Sequence, residues 1–473
     1  MKKKLLAVIL TVTMVATMLV GCSKNNDSKD NTTTTGTETK TDDTNTNDTT
    51  TTDDAATDTT ETVADAEEGK ILNIYCWNDE FQRRMKDHYP GYEEVDATTG
   101  KIGDVTVKWN ITPSDDNAYQ NNLDETLLKQ KDASDDNKID IFLVEADNAL
   151  KYVQTEYAMP VSELGITEAD LSKQYQYTKD YVTDSNGQLK AVSWQGCPGV
   201  LVYRRSIAKD VFGTDEIDKI QEKLADWDKF SAAAQEVKDK GYYMLSGYDD
   251  AYRVFSNNVT SKWVVDGKIN IDDNIKTWVE QTKEFTDKGY NNKTSLWSSD
   301  WSTGFTPEGK VFCYFGPAWF VDFTLGGKGT DGDWYATKGP QGFFWGGTWI
   351  CGAAGTDNQS LIKDIMLKLT TDDTIMKDIV VKDNDFVNNT TVMDAMATDT
   401  TYASAVLGES NPLGTYAAGA GSIDLSNVTA YDQGCTEEFQ GAMKDYFDGN
   451  ATYDEALQNF YSQITVKYPE LSY

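Results

Sequence analysis

The sequence predicts an α/β fold, and three observations carry that prediction. Residues 71–77, 105–111 and 139–144 are short apolar runs of strand length. Helix-spaced polar stretches separate them, among them residues 123–131. The chain has 473 residues, which suits two or three domains better than one. Strands that alternate with helices form a sheet covered by helices, and ligands of such sheets sit at the carboxyl ends of the strands.

The elements follow in chain order. Lys2, Lys3 and Lys4 precede an apolar stretch from Leu5 to Val20, the layout of a secretory signal over residues 1–21. That stretch is shorter than the ~20 apolar residues that span a bilayer. It ends Leu19-Val20-Gly21-Cys22, which resembles the bacterial lipoprotein signal, in which the cysteine becomes the lipid-modified first residue of the mature chain. Residues 23–69 hold no aromatic and almost no apolar side chain, so they cannot bury enough surface to offset chain entropy. Residues 22–70 therefore read as a disordered Thr/Asp/Asn-rich tether that lifts a folded part off a membrane.

Beyond the first strand, Asn78-Asp79-Glu80 opens an amphipathic stretch. Asn186-Gly187 is a turn signal, and the runs 181–183 and 188–194 on either side predict a hairpin. Residues 199–203 continue the extended chain. Asp226 can cap a helix whose Trp227, Phe230, Ala234 and Val237 keep helical spacing up to Gly241. A second such helix carries Ile275, Trp278, Val279 and Phe285 to Gly289. Thr452 with Glu455 is a capping box ahead of Ala456, Phe460 and Ile464. In residues 343–352, FFWGGTWICG, strand alternation would put Phe343, Trp345, Gly347, Trp349 and Cys351 on one side.

Composition narrows the function. Net charge is −34, from 43 Lys and Arg against 77 Asp and Glu. Residues 1–21 carry +3 and residues 22–70 carry −9, so the folded part keeps −28. Nucleic acid and anionic lipid both require a basic surface, and neither suits this chain as a partner. After Cys22 the cysteines are Cys76, Cys197, Cys313, Cys351 and Cys435, widely spaced and without a CxxC pair. That argues against a zinc or thiol-redox site and for small buried hydrophobes. The one histidine, His88, lies in a surface-like helix end, which leaves little for a Ser-His-Asp or Cys-His mechanism. No phosphate-binding or dinucleotide glycine motif occurs. Residues 132–140 have the acidic spacing of a calcium loop, but Leu143 stands where the closing bidentate Glu would be needed, so a solvated loop is expected. No metal and no cofactor is expected.

The order of the pieces resembles the extracellular solute-binding proteins of bacterial carbohydrate ABC importers, the group that includes maltose-binding protein, over residues 71–473. Residues 186–194 with Leu201-Val202-Tyr203-Arg204-Arg205 are similar to the family's crossing between lobes. Asp226-Trp227-Asp228-Lys229-Phe230 is similar to its TWDEF helix start, and residues 307–319 to its GKAAM and GPW segment. Leu369-Thr370-Thr371-Asp372-Asp373 resembles LTTDEG, and Thr452-Tyr453-Asp454-Glu455-Ala456-Leu457 resembles T-x-EEAL. The resemblance implies a two-lobed periplasmic-binding-protein-like fold of type II with hinge crossings and an inter-lobe cleft. Lobe one would comprise 71–190 with 347–387, and lobe two 191–346 with 388–473. Residues 343–352 would then cross from one lobe to the other.

The resemblance also implies a receptor, not an enzyme, that captures an oligosaccharide and presents it to membrane permease subunits. It would act as a monomer held by lipid on Cys22 at the extracellular face of the cell membrane. A surface glycosidase, or the same fold with a non-sugar solute, is the alternative. Sugars need aromatic platforms for their C–H faces and planar polar groups for their hydroxyls. The 12 Trp and 25 Tyr are ample for both platforms and core packing. Trp77, Asn78, Asp79 and Glu80 follow the first strand, and Glu145, Asp147 and Asn148 follow the third, both at family ligand-contact loops. Trp194 and Gln195 lie on the crossing, and Tyr248 and Asp249 fall where lobe two gives a polar contact. Trp319 stands one residue beyond the family's GPW position. Trp301, Trp345 and Trp349 follow from aromatic spacing and position, and Tyr431 from its place in the last lobe-two segment.

Overall fold

The computed structural model describes residues 69–473; the predicted signal, Cys22 and all but the last two residues of the predicted tether lie outside the described residues. The first strand, Ile71–Cys76, pairs in parallel with Val105–Ile111 on one side and Ile141–Glu145 on the other. These are the three apolar runs read from the sequence, and they form the centre of a six-stranded sheet. Thr99–Ile102 and Tyr92–Asp96 extend it at one edge, and Thr348–Gly352 closes the other edge antiparallel to Ile141–Glu145. Leu72, Ile74, Val107, Ile141, Phe142 and Leu143 are fully buried, as strands covered on both faces must be.

A second sheet is built on Pro198–Arg204, every residue of which is buried. Cys313–Gly316, Trp334–Thr337 and Phe343–Phe344 all pair with it antiparallel. The short parallel pair Leu245–Gly247 and Asn291–Thr294 lies beside it, through the Cys313 amide bonded to Met244. The predicted helices are present. Asp226 caps Trp227–Asp239, Gly289 ends Asp273–Lys288 at φ 68°, and Thr452 and Glu455 make the capping box of Tyr453–Lys467. The five described cysteines are free and buried. Asp140, the last acid of the calcium-like run, is spent internally: it accepts from the Asn73 amide, Thr356 and Asn358.

Three local expectations change. The helix expected at 123–131 is Ala118–Leu127, followed by a separate 3-10 turn. The predicted hairpin is reduced to a turn. Tyr181 ends the helix Gln176–Tyr181, and the Asp184 side chain accepts from the amides of Asn186 and Gln188. The outgoing chain pairs back only briefly, through the Thr183–Leu189 bridge and the Lys190 amide on the Val182 carbonyl, and Val192 then bridges to Ile350 in the first sheet. Finally, FFWGGTWICG is two strands and not one. Phe343–Phe344 belongs to the second sheet and Thr348–Gly352 to the first, separated by Gly346 at φ 79° and Gly347 at φ 102°. Those angles are open to glycine at little cost, and they break the side-chain alternation that a continuous strand would impose.

Candidate functional site

The strand Ile141–Glu145 is buried until its carboxyl end, where Glu145 begins the helix Ala146–Val153. The Glu145 side chain accepts from the Asp147 amide at 2.8 Å, an acid where the free N–H groups and dipole of a helix start favour one. Asp147 is thereby presented to Arg253 of the helix Tyr252–Ser256, which follows Leu245–Gly247 in the other region. The two terminal guanidinium nitrogens donate to the two Asp147 oxygens at 2.9 and 2.6 Å. This fork-to-fork geometry is the strong form of the charge-assisted bond.

A cleft of about 680 Å³ surrounds the pair, within the size range of small-molecule sites. Gln120, Asn121 and Asn148 line it from one region, Tyr252, Tyr431 and Asp432 from the other, with Tyr181 between them. Amides, carboxylates and a guanidinium give in-plane donors and acceptors, and the phenol rings give apolar faces. Arg253 also stands 5.2 Å from the Trp345 ring. With Trp345, Trp301 and Asp249 it lines a second, smaller recess.

Tryptophans continue from that recess. Trp319 meets Trp345 edge-on at 5.2 Å and lies nearly parallel to Trp297 at 6.4 Å. The Trp319 indole donates to the Trp345 carbonyl at 3.2 Å. Trp297 is 53% exposed and holds φ at +66°. A bulky residue in the left-handed region costs on the order of 1–3 kcal/mol, and such strain gathers at ligand sites.

The surroundings raise the pKa of carboxyls in and beside the cleft, and only Glu145 is carried past neutral pH. Burial, reinforced by the Asp147 charge, pushes Glu145 up to about 8, against the pull of Arg253. Burial and then Asp250 push Asp249 up to about 6, and burial pushes Asp432 up to about 6. A protonated carboxyl donates as well as accepts, which suits a hydroxyl partner.

The structure brings together some of the residues expected from sequence and separates others. Asp147, Asn148 and Tyr431 line the cleft. Asp249, Trp301 and Trp345 line the recess, although Trp345 is only 7% exposed and the Trp301 indole is spent on Asp250 at 2.7 Å. Trp77 is half-buried and packs on Tyr119, while Asn78 and Asp79 are exposed beside it. Glu80 accepts from Gln195 at 3.2 Å and Thr348 at 3.3 Å, and burial raises its pKa.

Trp194, Gln195, Tyr248 and Trp349 are corrected to packing positions. Trp194 is 0% exposed and stacks on Phe81 at 5.6 Å. The Gln195 amide ties Glu80, Asp385 and the Thr348 amide together. The Tyr248 hydroxyl donates to Asp448 at 2.6 Å and its ring stacks on Phe447. Trp349 is 1% exposed and stacks at 5.3 Å behind Tyr181, the ring that reaches the cleft. The glycine break explains Trp349: its strand has changed sheets, so it no longer shares a face with Trp345.

Arg253, Gln120 and Tyr181 are among the cleft residues that sequence reasoning missed, with Asn121 and Tyr252. A signal for Arg253 existed: the chain has five arginines, two adjacent pairs and this one alone, three residues past Asp250. Gln120 and Tyr181 carry no comparable signal, because helix and chain packing alone bring them to the cleft.

The comparisons with known proteins follow this geometry. No curated protein matches the sequence significantly. Among solved structures, an extracellular solute-binding protein of family 1 superposes with a TM-score of 0.69 at 15% identity, over 84% of this chain and 99% of that one. The ABC transporter associated binding protein of B. animalis subsp. lactis Bl-04, in complex with β-1,6-galactobiose, gives 0.64 at 16% identity over 85% and 99%. The galacto-N-biose/lacto-N-biose I-binding protein of Bifidobacterium longum, in complex with lacto-N-biose, gives 0.62 at 13% over 86% and 100%. These likenesses establish a shared two-lobed α/β fold. The sequence profile described as bacterial extracellular solute-binding protein matches residues 93–407, two thirds of the chain, and the chain therefore belongs to that family.

Proposed function

We propose that this protein is the substrate-binding lipoprotein of an ABC transporter, capturing an oligosaccharide between its lobes and delivering it to a membrane permease. The observation that carries the reading is the Asp147–Arg253 pair, whose two halves come from elements of different sheets. A site assembled from two regions built on different sheets is complete only when they approach, which is how a closing receptor holds its solute. The amides, carboxyls and aromatic rings around the pair match the hydroxyls and C–H faces of sugar rings. Two structural neighbours hold β-1,6-galactobiose and lacto-N-biose, which supports a saccharide.

In this reading lobe one is 71–190 with 347–387 and lobe two is 191–346 with 388–473. Lipid on Cys22 holds the chain at the extracellular face of the cell membrane, and residues 22–70 supply reach. Among the described residues no helix is long and apolar enough to cross a membrane. His88 is engaged by Asp378 and Asp383 and does not line the cleft, which favours binding over catalysis.

The test is calorimetry and tryptophan fluorescence on a panel of neutral mono- to tetrasaccharides, including β-1,6-galactobiose, maltose and cellobiose. Saturable binding with the sugars recovered unchanged is the expected result. Release of shorter products would make the protein a glycosidase, and silence across the panel would point to a non-sugar solute.

A further inference from the structure

We propose that the cleft discriminates against anionic saccharides, and that Asp432 and Glu470 are the residues responsible. The inference rests on the saccharide reading above and concerns which saccharides are admitted.

Three cations line the cleft, Lys151, Arg253 and Lys467, and each is already engaged. Lys151 donates to Asp124 at 2.5 Å, and Lys467 to Glu437 at 2.7 Å and Glu438 at 3.5 Å. Arg253 is held on both oxygens of Asp147. A solute carboxylate could engage Arg253 only by displacing Asp147, which would then stand beside Glu145 without its cation. Removing one partner from a desolvated charge pair is costly because the other is left uncompensated.

The unspent capacity of the cleft is acceptor capacity. Gln120 Oε1 is buried and has no hydrogen-bond partner among the described residues. Asp432 accepts from the Thr429 amide and hydroxyl through one oxygen and forms no ion pair within the described residues. Glu470 accepts from the Tyr431 hydroxyl at 3.3 Å and likewise has no cation on it. Two carboxylates without counter-ions therefore face the space a solute enters, within a chain whose net charge is −34. A hydroxyl donates to such acceptors, and a carboxylate is repelled by them.

The experiment compares each sugar of the neutral panel that binds with its counterpart oxidised from hydroxymethyl to carboxylate at C6 of the non-reducing ring. The wild-type chain should bind the oxidised form at least ~30-fold more weakly, the scale of a like-charge contact in an interface. The double substitution Asp432→Asn with Glu470→Gln should narrow that ratio to a few-fold. Equal or tighter binding of the oxidised form overturns the proposal, and so does a ratio left unchanged by the double substitution. If neither form of any sugar binds, the saccharide reading itself falls and carries this inference with it.

Discussion

The chain contains two clusters of one arginine among carboxylates, and they behave differently. Arg84, 7% exposed at its side chain, sits among Asp383 at 2.8 Å, Asp385 at 3.4 Å and Glu80 at 3.7 Å. His88 adds to the same cluster, between Asp378 at 3.0 Å and Asp383 at 2.6 Å. The neighbouring Gln195 ties it to the crossing chain through Asp385 and the Thr348 amide. Arg253, 29% exposed at its side chain, has Asp147 and the half-buried Glu145 beside it and opens on the cleft. Arginine and acid together do not mark a binding site. What marks one is solvent access and an opening onto a cleft, which the second cluster has and the first lacks even though its Arg84 Nε is left without a partner.

The sharpest test of this contrast is Arg84→Ala. It would leave Asp383, Asp385 and Glu80 buried without their cation, and unfolding free energy should fall by about 3–5 kcal/mol, measured by denaturant titration. A loss under ~1 kcal/mol would dissolve the distinction between the clusters.

Arg253→Ala should do the reverse. Solute affinity should fall by about 2–3 kcal/mol, roughly 30- to 150-fold, while the partly exposed pair contributes no more than ~1 kcal/mol to stability. Arg253→Lys should recover little of the affinity, because an ammonium cannot make the two-pronged bond. A thermal shift as large as that of Arg84→Ala would place Arg253 among the structural groups.

Trp297 offers a smaller separation of stability from binding. Trp297→Gly should leave the melting temperature level or raise it slightly, since glycine takes φ +66° without strain. Affinity should drop about fivefold with loss of a ring contact worth ~1 kcal/mol. Unchanged binding would remove Trp297 from the solute path.

The last test is pH. Burial, with the Asp147 charge beside it, raises the Glu145 pKa to about 8 from the 4.5 of a free glutamate side chain. Stability from the neutral form is therefore full below about pH 4.5 and is lost as pH rises through 8. Wild-type melting temperature should decline across that window more than that of Glu145→Gln. Parallel profiles would mean that Glu145 is ionised in the cleft.

Much of this architecture was legible in residue order. The three central strands were visible as apolar runs bounded by polar helices, and Asp226, Gly289 and Thr452 marked helix ends through local chemistry. Asp147 and Asn148 followed from one rule, that the carboxyl end of a buried strand is where an α/β sheet meets its ligand. The tryptophans were not legible. Trp194, Trp301 and Trp349 read like any platform, and only their neighbours Phe81, Asp250 and Tyr181 show them spent on packing.

The sequence by itself determined the fold class, the family resemblance and the acidic character, because these depend on composition, spacing and contacts between residues close in the chain. Tertiary structure alone decided which polar groups remain free. Asp147 and Arg253 are 106 residues apart, and Gln195 and Asp385 are 190 apart. Whether such a pair meets, and whether water still reaches it, is set by how two sheets pack, and no local pattern encodes that.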